Sequence, residues 1–244
     1  MNVLRRFAAV LRDGLRIWWL APVIPLLIVV PEFAQHVVEI RLGMFEGGEA
    51  ARAAADDPVR WAFGYGKIAG LLLAILATIR FWGSHGTAGR WWDVRGMAWG
   101  VFATAIVIVV LSGLPGLLLE PLVGERVSGW VDLALMLATL PAIPLLVAGL
   151  SGDRTVTLRR VFLTTGGWLA ALRMIVFAAA VWVPLQWLHG ANHDWAMGAA
   201  EPVVWALMVW DSVVVGLLAT MAGTALHHGW RAPEAERERM AASA

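Results

Sequence analysis

The sequence predicts an all-α, polytopic membrane protein, and three observations carry that prediction. Six apolar stretches, each long enough to cross a bilayer, run through the 244 residues. Hydrophobic residues make up 59% of the chain and charged residues only 15%, where a soluble domain of this length would carry about a quarter charged. The basic residues, nearly all arginine, collect on alternate gaps between the stretches. The stretches are residues 17–38, 61–82, 97–119, 130–150, 168–188 and 202–225. At a rise of about 1.5 Å per residue each covers a hydrocarbon layer of about 30 Å.

Arginine placement orients the chain. One side holds the N-terminus, the second and fourth gaps and the C-terminus, with Arg5, Arg6, Arg12, Arg16, Arg80, Arg90, Arg95, Arg154, Arg159, Arg160, Arg173, Arg231, Arg237 and Arg239. Only Arg41, Arg52, Arg60, Lys67 and Arg126 fall elsewhere. Lys and Arg accumulate on the cytoplasmic side, so both termini are expected inside. Tryptophans such as Trp18, Trp61, Trp82, Trp130 and Trp230 sit near stretch ends, where amphipathic rings prefer the headgroup layer.

Taken in order, the first span follows NVLRRFAAVLRDGLRIWW, a basic and partly apolar segment. The run behind it lacks a small-residue cleavage site and continues into Pro31 and Glu32, so it reads as a retained helix rather than a signal peptide. FEGGEAARAAADDP then reads as an outer loop with a turn of helix. GRWWDVRGMAWG and DRTVTLRRVFLTTGGW precede the third and fifth spans. These three basic segments are expected to lie on the inner leaflet as short helices before spans one, three and five, with Arg5, Arg6, Arg12, Arg16, Arg159 and Arg160 meeting anionic lipid. The result is three hairpins in one domain, residues 1–229, and a charged cytoplasmic tail, 230–244, expected to be solvated and partly disordered. In layout, six spans with repeated basic surface segments, the chain resembles bacterial six-helix inner-membrane families such as the membrane domain of glycerophosphodiester phosphodiesterases. The resemblance implies a bacterial inner membrane but transfers no site residues.

Several chemistries are excluded. Cysteine is absent, which removes disulfides, thiolate metal sites and thiol nucleophiles. A rhomboid-type protease needs a serine in the fourth span, and 130–150 has none. The six histidines are too few for the clusters of membrane desaturases, and they sit too near span ends to ligate haem. No Walker loop or GxSxG turn is present. No cofactor and no nucleic-acid partner are expected.

The candidate site residues are ionisable groups inside apolar stretches, where a charge costs at least about 2.5 to 3.5 kcal/mol unless paired. Glu32, Lys67, the only lysine, and Asp211 lie about 9 to 14 Å from the outer ends of their spans, and the expectation is that Lys67 bridges Glu32 and Asp211. Glu32, Gln35, His36 and Glu39 share one helical face, read either as an ion or ligand path or, by preference, as the wet face of a helix leaving the bilayer with Phe33, Val37, Ile40 and Met44 buried. His36, His189, His193 and Asp194 share the outer side and form a possible zinc set, although Gly190 and Asn192 make the second histidine pair read as loop. Arg173 is expected to reach the headgroups.

The leading functional expectation is a non-catalytic inner-membrane protein with an envelope, lipid-associated or complex-assembly role. The alternative is a small proton-coupled or ion and solute transporter built on the intramembrane charges, and an outer-face metal-dependent enzyme is third. Expected partners are membrane lipids, including anionic inner-leaflet lipid, and a membrane-protein partner or second copy.

Overall fold

The computed structural model describes residues 3–84 and 91–242, with side chains over 4–84 and 91–231. His85 and Arg90 lie outside the described residues, as do the side chains of Arg237 and Arg239. In chain order the helices are α1 (Val3–Leu20), α2 (Val23–Arg41), α3 (Gly48–Ala55), α4 (Pro58–Gly83), α5 (Trp99–Val123), α6 (Glu125–Thr139), α7 (Ala142–Ser151), α8 (Leu158–Phe162), α9 (Thr165–Ala196) and α10 (Glu201–Ala242). Among the described residues there is no strand. Five helices are long and apolar enough to cross a membrane, and a sixth span results if α6 and α7, bent by 50° at their junction, count as one.

The differences from the expected spans have local causes. Residues 17–38 are not one helix, because Pro22 caps α2 at Val23 and separates it from α1. The fourth span breaks at the turn before Ala142, where Pro141 caps α7. Before the third span the described residues form a 3₁₀ turn, Val94–Gly96, started by the Asp93 carboxylate accepting from Arg95 N at 3.0 Å. Helix α10 continues through the charged tail to Ala242, where a solvated, partly disordered end was expected.

The chain divides into two compact units, Met1–Thr78 with Ala178–Ala225, and Ile79–Phe177 with Leu226–Ala244. The first has an apolar core of Ile28, Ala74, Val215 and Ala219, flanked by Leu27, Leu71 and Ile75. Its helices approach closely through small residues, as bilayer helices do in the absence of a hydrophobic drive between them. Pro31 lacks the N–H that would bond Leu27 O within α2, and α4 packs Gly70 against that carbonyl, which a Cβ at Gly70 would strike. At Gly216 a Cβ would meet Val29 and the Trp18 ring. The Trp18 indole N–H donates to Thr220 Oγ1 at 3.3 Å.

The second unit is built on Ala105, Leu145, Ala148, Val156 and Val161, with Val101, Ile108 and Trp230 packed against them. Its buried Arg80 donates to two backbone carbonyls, Leu150 O at 2.9 Å and Asp93 O at 2.8 Å. The half-buried Arg173 donates from Nε to Gly229 O at 2.6 Å. Helix α5 exposes most of its apolar side chains, among them Val107, Val110, Leu111, Leu117 and Leu118.

Candidate functional site

The polar residues of the first unit converge. Helix α2 ends with a stripe in which Glu32, Gln35, His36 and Glu39 recur at helical spacing, and all four are buried, with exposures of 0, 4, 0 and 1%. The expectation of a wet stripe is therefore reversed: Phe33, Val37 and Ile40 are only half-buried and the polar face points inward. Tertiary context decides this. The facing helices α4, α9 and α10 bring polar partners to the stripe, so most of its groups are desolvated against a hydrogen-bonding or charged neighbour.

The stripe is held from three directions. From α4, Lys67 Nζ lies 2.8 Å from Glu32 Oε1 and Arg60 Nε 2.9 Å from Glu39 Oε1. Within α2, Gln35 Nε2 donates to Glu39 Oε1 at 3.0 Å. His36 has carboxylates at both ring nitrogens, with Nδ1 3.0 Å from Glu39 Oε2 and Nε2 3.1 Å from Asp211 Oδ2. Glu32 Oε1 is a further 3.3 Å contact of His36 Nε2.

Asp211 is the hub. It is fully buried, on the face of α10 that also carries the buried Val204, Met208 and Val215. Its Oδ2 lies 2.7 Å from His189 Nδ1, 3.1 Å from His36 Nε2 and 3.5 Å from His193 Nε2. Its Oδ1 accepts from Asn192 Nδ2 at 2.8 Å. The rings of His36 and His193 are 5.2 Å apart, those of His189 and His193 4.9 Å, and Phe45 sits 5.8 Å from His193. Phe45 belongs to a second apolar cluster with Ala196, Val204 and Met208, and Gly198 N donates to its carbonyl at 2.7 Å.

Of the predicted residues, Glu32, His36, Glu39, Lys67, His189, His193 and Asp211 come together. Three expectations are corrected. Lys67 does not bridge Glu32 and Asp211: it pairs with Glu32, and His36 stands between the two carboxylates. The histidine pair of α9 is helix, because α9 continues through Gly190 and Asn192 to Ala196, so His189 and His193, four residues apart, lie on one face. Asp194 is exposed on the other side of that face, and Asp211 takes its place beside the imidazoles. Sequence reading missed Asn192 and Arg60 as members. Asn192 lies one turn beyond His189 and beside His193, a signal readable only once the segment is taken as helix. Arg5, Arg12, Arg16, Arg159 and Arg160 are exposed, and Arg6 is half-buried.

Several buried atoms of the cluster make no hydrogen bond, namely Glu32 Oε2, Gln35 Oε1, Asn192 Oδ1 and His193 Nε2. Three overlapping sets have their possible ligand atoms within 4.8 Å of one another: His36, Glu39 and His193; His189, His193 and Asp211; Glu32, His36 and Asp211. No family model, curated protein or solved structure matches the chain, so the cluster is read from its own chemistry.

Proposed function

We propose that this chain is a multi-pass protein of a bacterial inner membrane whose working part is a cation-handling centre in the outer half of the bilayer. Six spans as three hairpins, with both termini cytoplasmic, are the arrangement that the arginine distribution favours. Helix α1, with Arg5, Arg12 and Arg16 exposed and Val10 and Ile17 buried, suits a position on anionic inner-leaflet lipid. Counted along their helices at about 1.5 Å per residue, Glu32 lies about 14 Å from the Arg41 end of α2, Lys67 about 14 Å from the start of α4, and Asp211 about 15 Å from the start of α10. That depth is well inside a hydrocarbon layer of about 30 Å.

The observation that carries the reading is a charge imbalance. The centre gathers three carboxylates, Glu32, Glu39 and Asp211, but only two fixed cations, Lys67 and Arg60. A buried negative charge in hydrocarbon is costly, so the centre calls for one further positive charge, carried by its imidazoles or by a bound ion. A purely structural charge pair would balance itself with fewer groups. The non-catalytic assembly role is the second reading, favoured by the exposed apolar face of α5, which would suit a partner helix.

Proteoliposomes carrying the purified chain, with a pH or metal-ion gradient imposed, test the proposal. Cation flux is expected in the parent, retained in Asp194→Asn and lost in Asp211→Asn. A parent without flux of either kind overturns the cation-handling reading and leaves the assembly role.

A further inference from the structure

We infer that the cation is a divalent transition metal of the zinc type, held in the first unit by the imidazoles of His36, His189 and His193 with the Asp211 carboxylate as fourth ligand. This deepens the cation-handling reading and rests on it.

Three imidazoles exceed what a proton needs. One histidine between carboxylates accommodates a proton, yet two further rings from α9 are brought to the same carboxylate oxygen. A tetrahedral zinc site, with donors about 2.0 to 2.2 Å from the metal, places neighbouring donors about 3.3 to 3.6 Å apart. The separations of His189, His36 and His193 from Asp211 Oδ2 are 2.7, 3.1 and 3.5 Å, and the donors fall in two sets that share Asp211, one with His189 and His193 and one with His36 and Glu32, so side-chain movement that draws His36 toward the α9 pair seats an ion among them. The donor set selects the class of metal. Calcium and magnesium favour shells made entirely of oxygen, whereas imidazole with one carboxylate suits zinc and its transition-metal neighbours.

The surroundings match what orients ligands in metal sites. A ligating histidine usually donates its other ring N–H to a carboxylate, and Glu39 Oε2 stands 3.0 Å from His36 Nδ1, leaving Nε2 to the centre. Asn192 occupies Asp211 Oδ1 and leaves Oδ2 facing the rings. The fully buried Glu32 and Asn192 each keep an oxygen, Oε2 and Oδ1, without a hydrogen bond, and His193 Nε2 also makes none. A bound metal ion gives His193 Nε2 the partner it lacks. A depression of about 490 Å³ is lined by Phe45, Glu46 and Glu201, and the Phe45 ring lies 5.8 Å from that of His193. Acidic groups at such a mouth raise the local concentration of cations.

The test uses the full chain purified in detergent, stripped with chelator and titrated with Co²⁺ and then Zn²⁺. One Co²⁺ per chain is expected, with the visible absorption of a four-coordinate ion, and Zn²⁺ should displace it. His189→Ala with His193→Ala should weaken binding by at least about 100-fold, since even loss of an outer-shell partner costs about 10- to 100-fold, while Asp194→Asn leaves it unchanged. Should the double variant not fold, His193→Cys keeps a ligand and is expected to add a near-ultraviolet thiolate-to-cobalt band. Absence of stoichiometric Co²⁺ or Zn²⁺ in the parent overturns the metal assignment, as does full binding by the double variant or a His193→Cys spectrum without the new band. If metal binding is absent while Asp211-dependent proton flux persists, the metal falls and the cation-handling reading stands. If both are absent, both fall.

Discussion

The two units handle their buried and half-buried cations in different ways. In the second, Arg80 and Arg173 donate to backbone carbonyls, those of Leu150, Asp93 and Gly229, which ties α4 to the end of α7 and the turn before α5, and α9 to α10. In the first, Lys67 and Arg60 meet carboxylates, and those carboxylates in turn meet imidazoles. Every residue carries a backbone carbonyl oxygen, so anchoring an arginine on one requires no additional charged side chain. Placing three carboxylates and three histidines from three helices in one buried spot does. The comparison separates a structural use of charge from one whose cost needs another justification.

The largest expected effect tests that separation at the hub. Asp211→Leu removes the acceptor of Asn192 and the counter-group of three imidazoles, and it should lower stability in detergent by about 3 to 5 kcal/mol, the range for breaking a buried pair. A loss below 1 kcal/mol in a denaturant titration would make the cluster a loose polar patch.

Next comes Lys67→Met, which leaves Glu32 buried without its cation. A loss of about 3 kcal/mol is expected, and Glu32→Gln in the same chain should recover at least about 1 kcal/mol of it, because neighbours that interact are not additive. Strict additivity in the four-member cycle would show that the pair does not couple.

Arg80→Met probes the other unit. Two charge-assisted bonds to carbonyls are lost, so a decrease of about 1.5 to 3 kcal/mol in unfolding free energy is expected, with the Co²⁺ titration unchanged. A change in metal affinity would mean that the two uses of charge are linked after all. The smallest effect belongs to Asp194→Asn, exposed and outside the cluster, expected within about 0.5 kcal/mol of the parent. A larger shift in thermal unfolding would restore Asp194 to the centre.

Much of this was legible in the sequence. The span expected at 61–82 is α4 to within a few residues, since it is apolar apart from Lys67 and Arg80 and bounded by Asp57 and the arginine-rich second gap. Glu32, Lys67 and Asp211 stood out because hydrocarbon tolerates few charges. The inward direction of the α2 stripe was not legible: amphipathicity reveals two faces, and only the neighbouring helices decide which is buried. The histidine pair was misread through Gly190 and Asn192, which weaken a helix in water but are carried along here in a 32-residue helix with apolar residues on both sides. Choosing Asp194 over Asp211 followed from proximity in sequence, whereas the hub lies 175 residues from His36. The break before Ala142 was foreshadowed by Pro141, but a proline within an apolar run fits a continuous kinked span equally well.

That separation between His36 and Asp211 has a consequence for biogenesis. As the chain emerges from the ribosome, Glu32 and Glu39 enter the bilayer with α2, and their basic partners Lys67 and Arg60 follow with α4, the next long apolar helix. His36 must wait for its aspartate until the last long helix has been translated. A ribosome-stalled intermediate ending before Glu201 should therefore hold the first hairpin inserted with His36 still without its aspartate, making arrival of α10 the event that locks the cluster together.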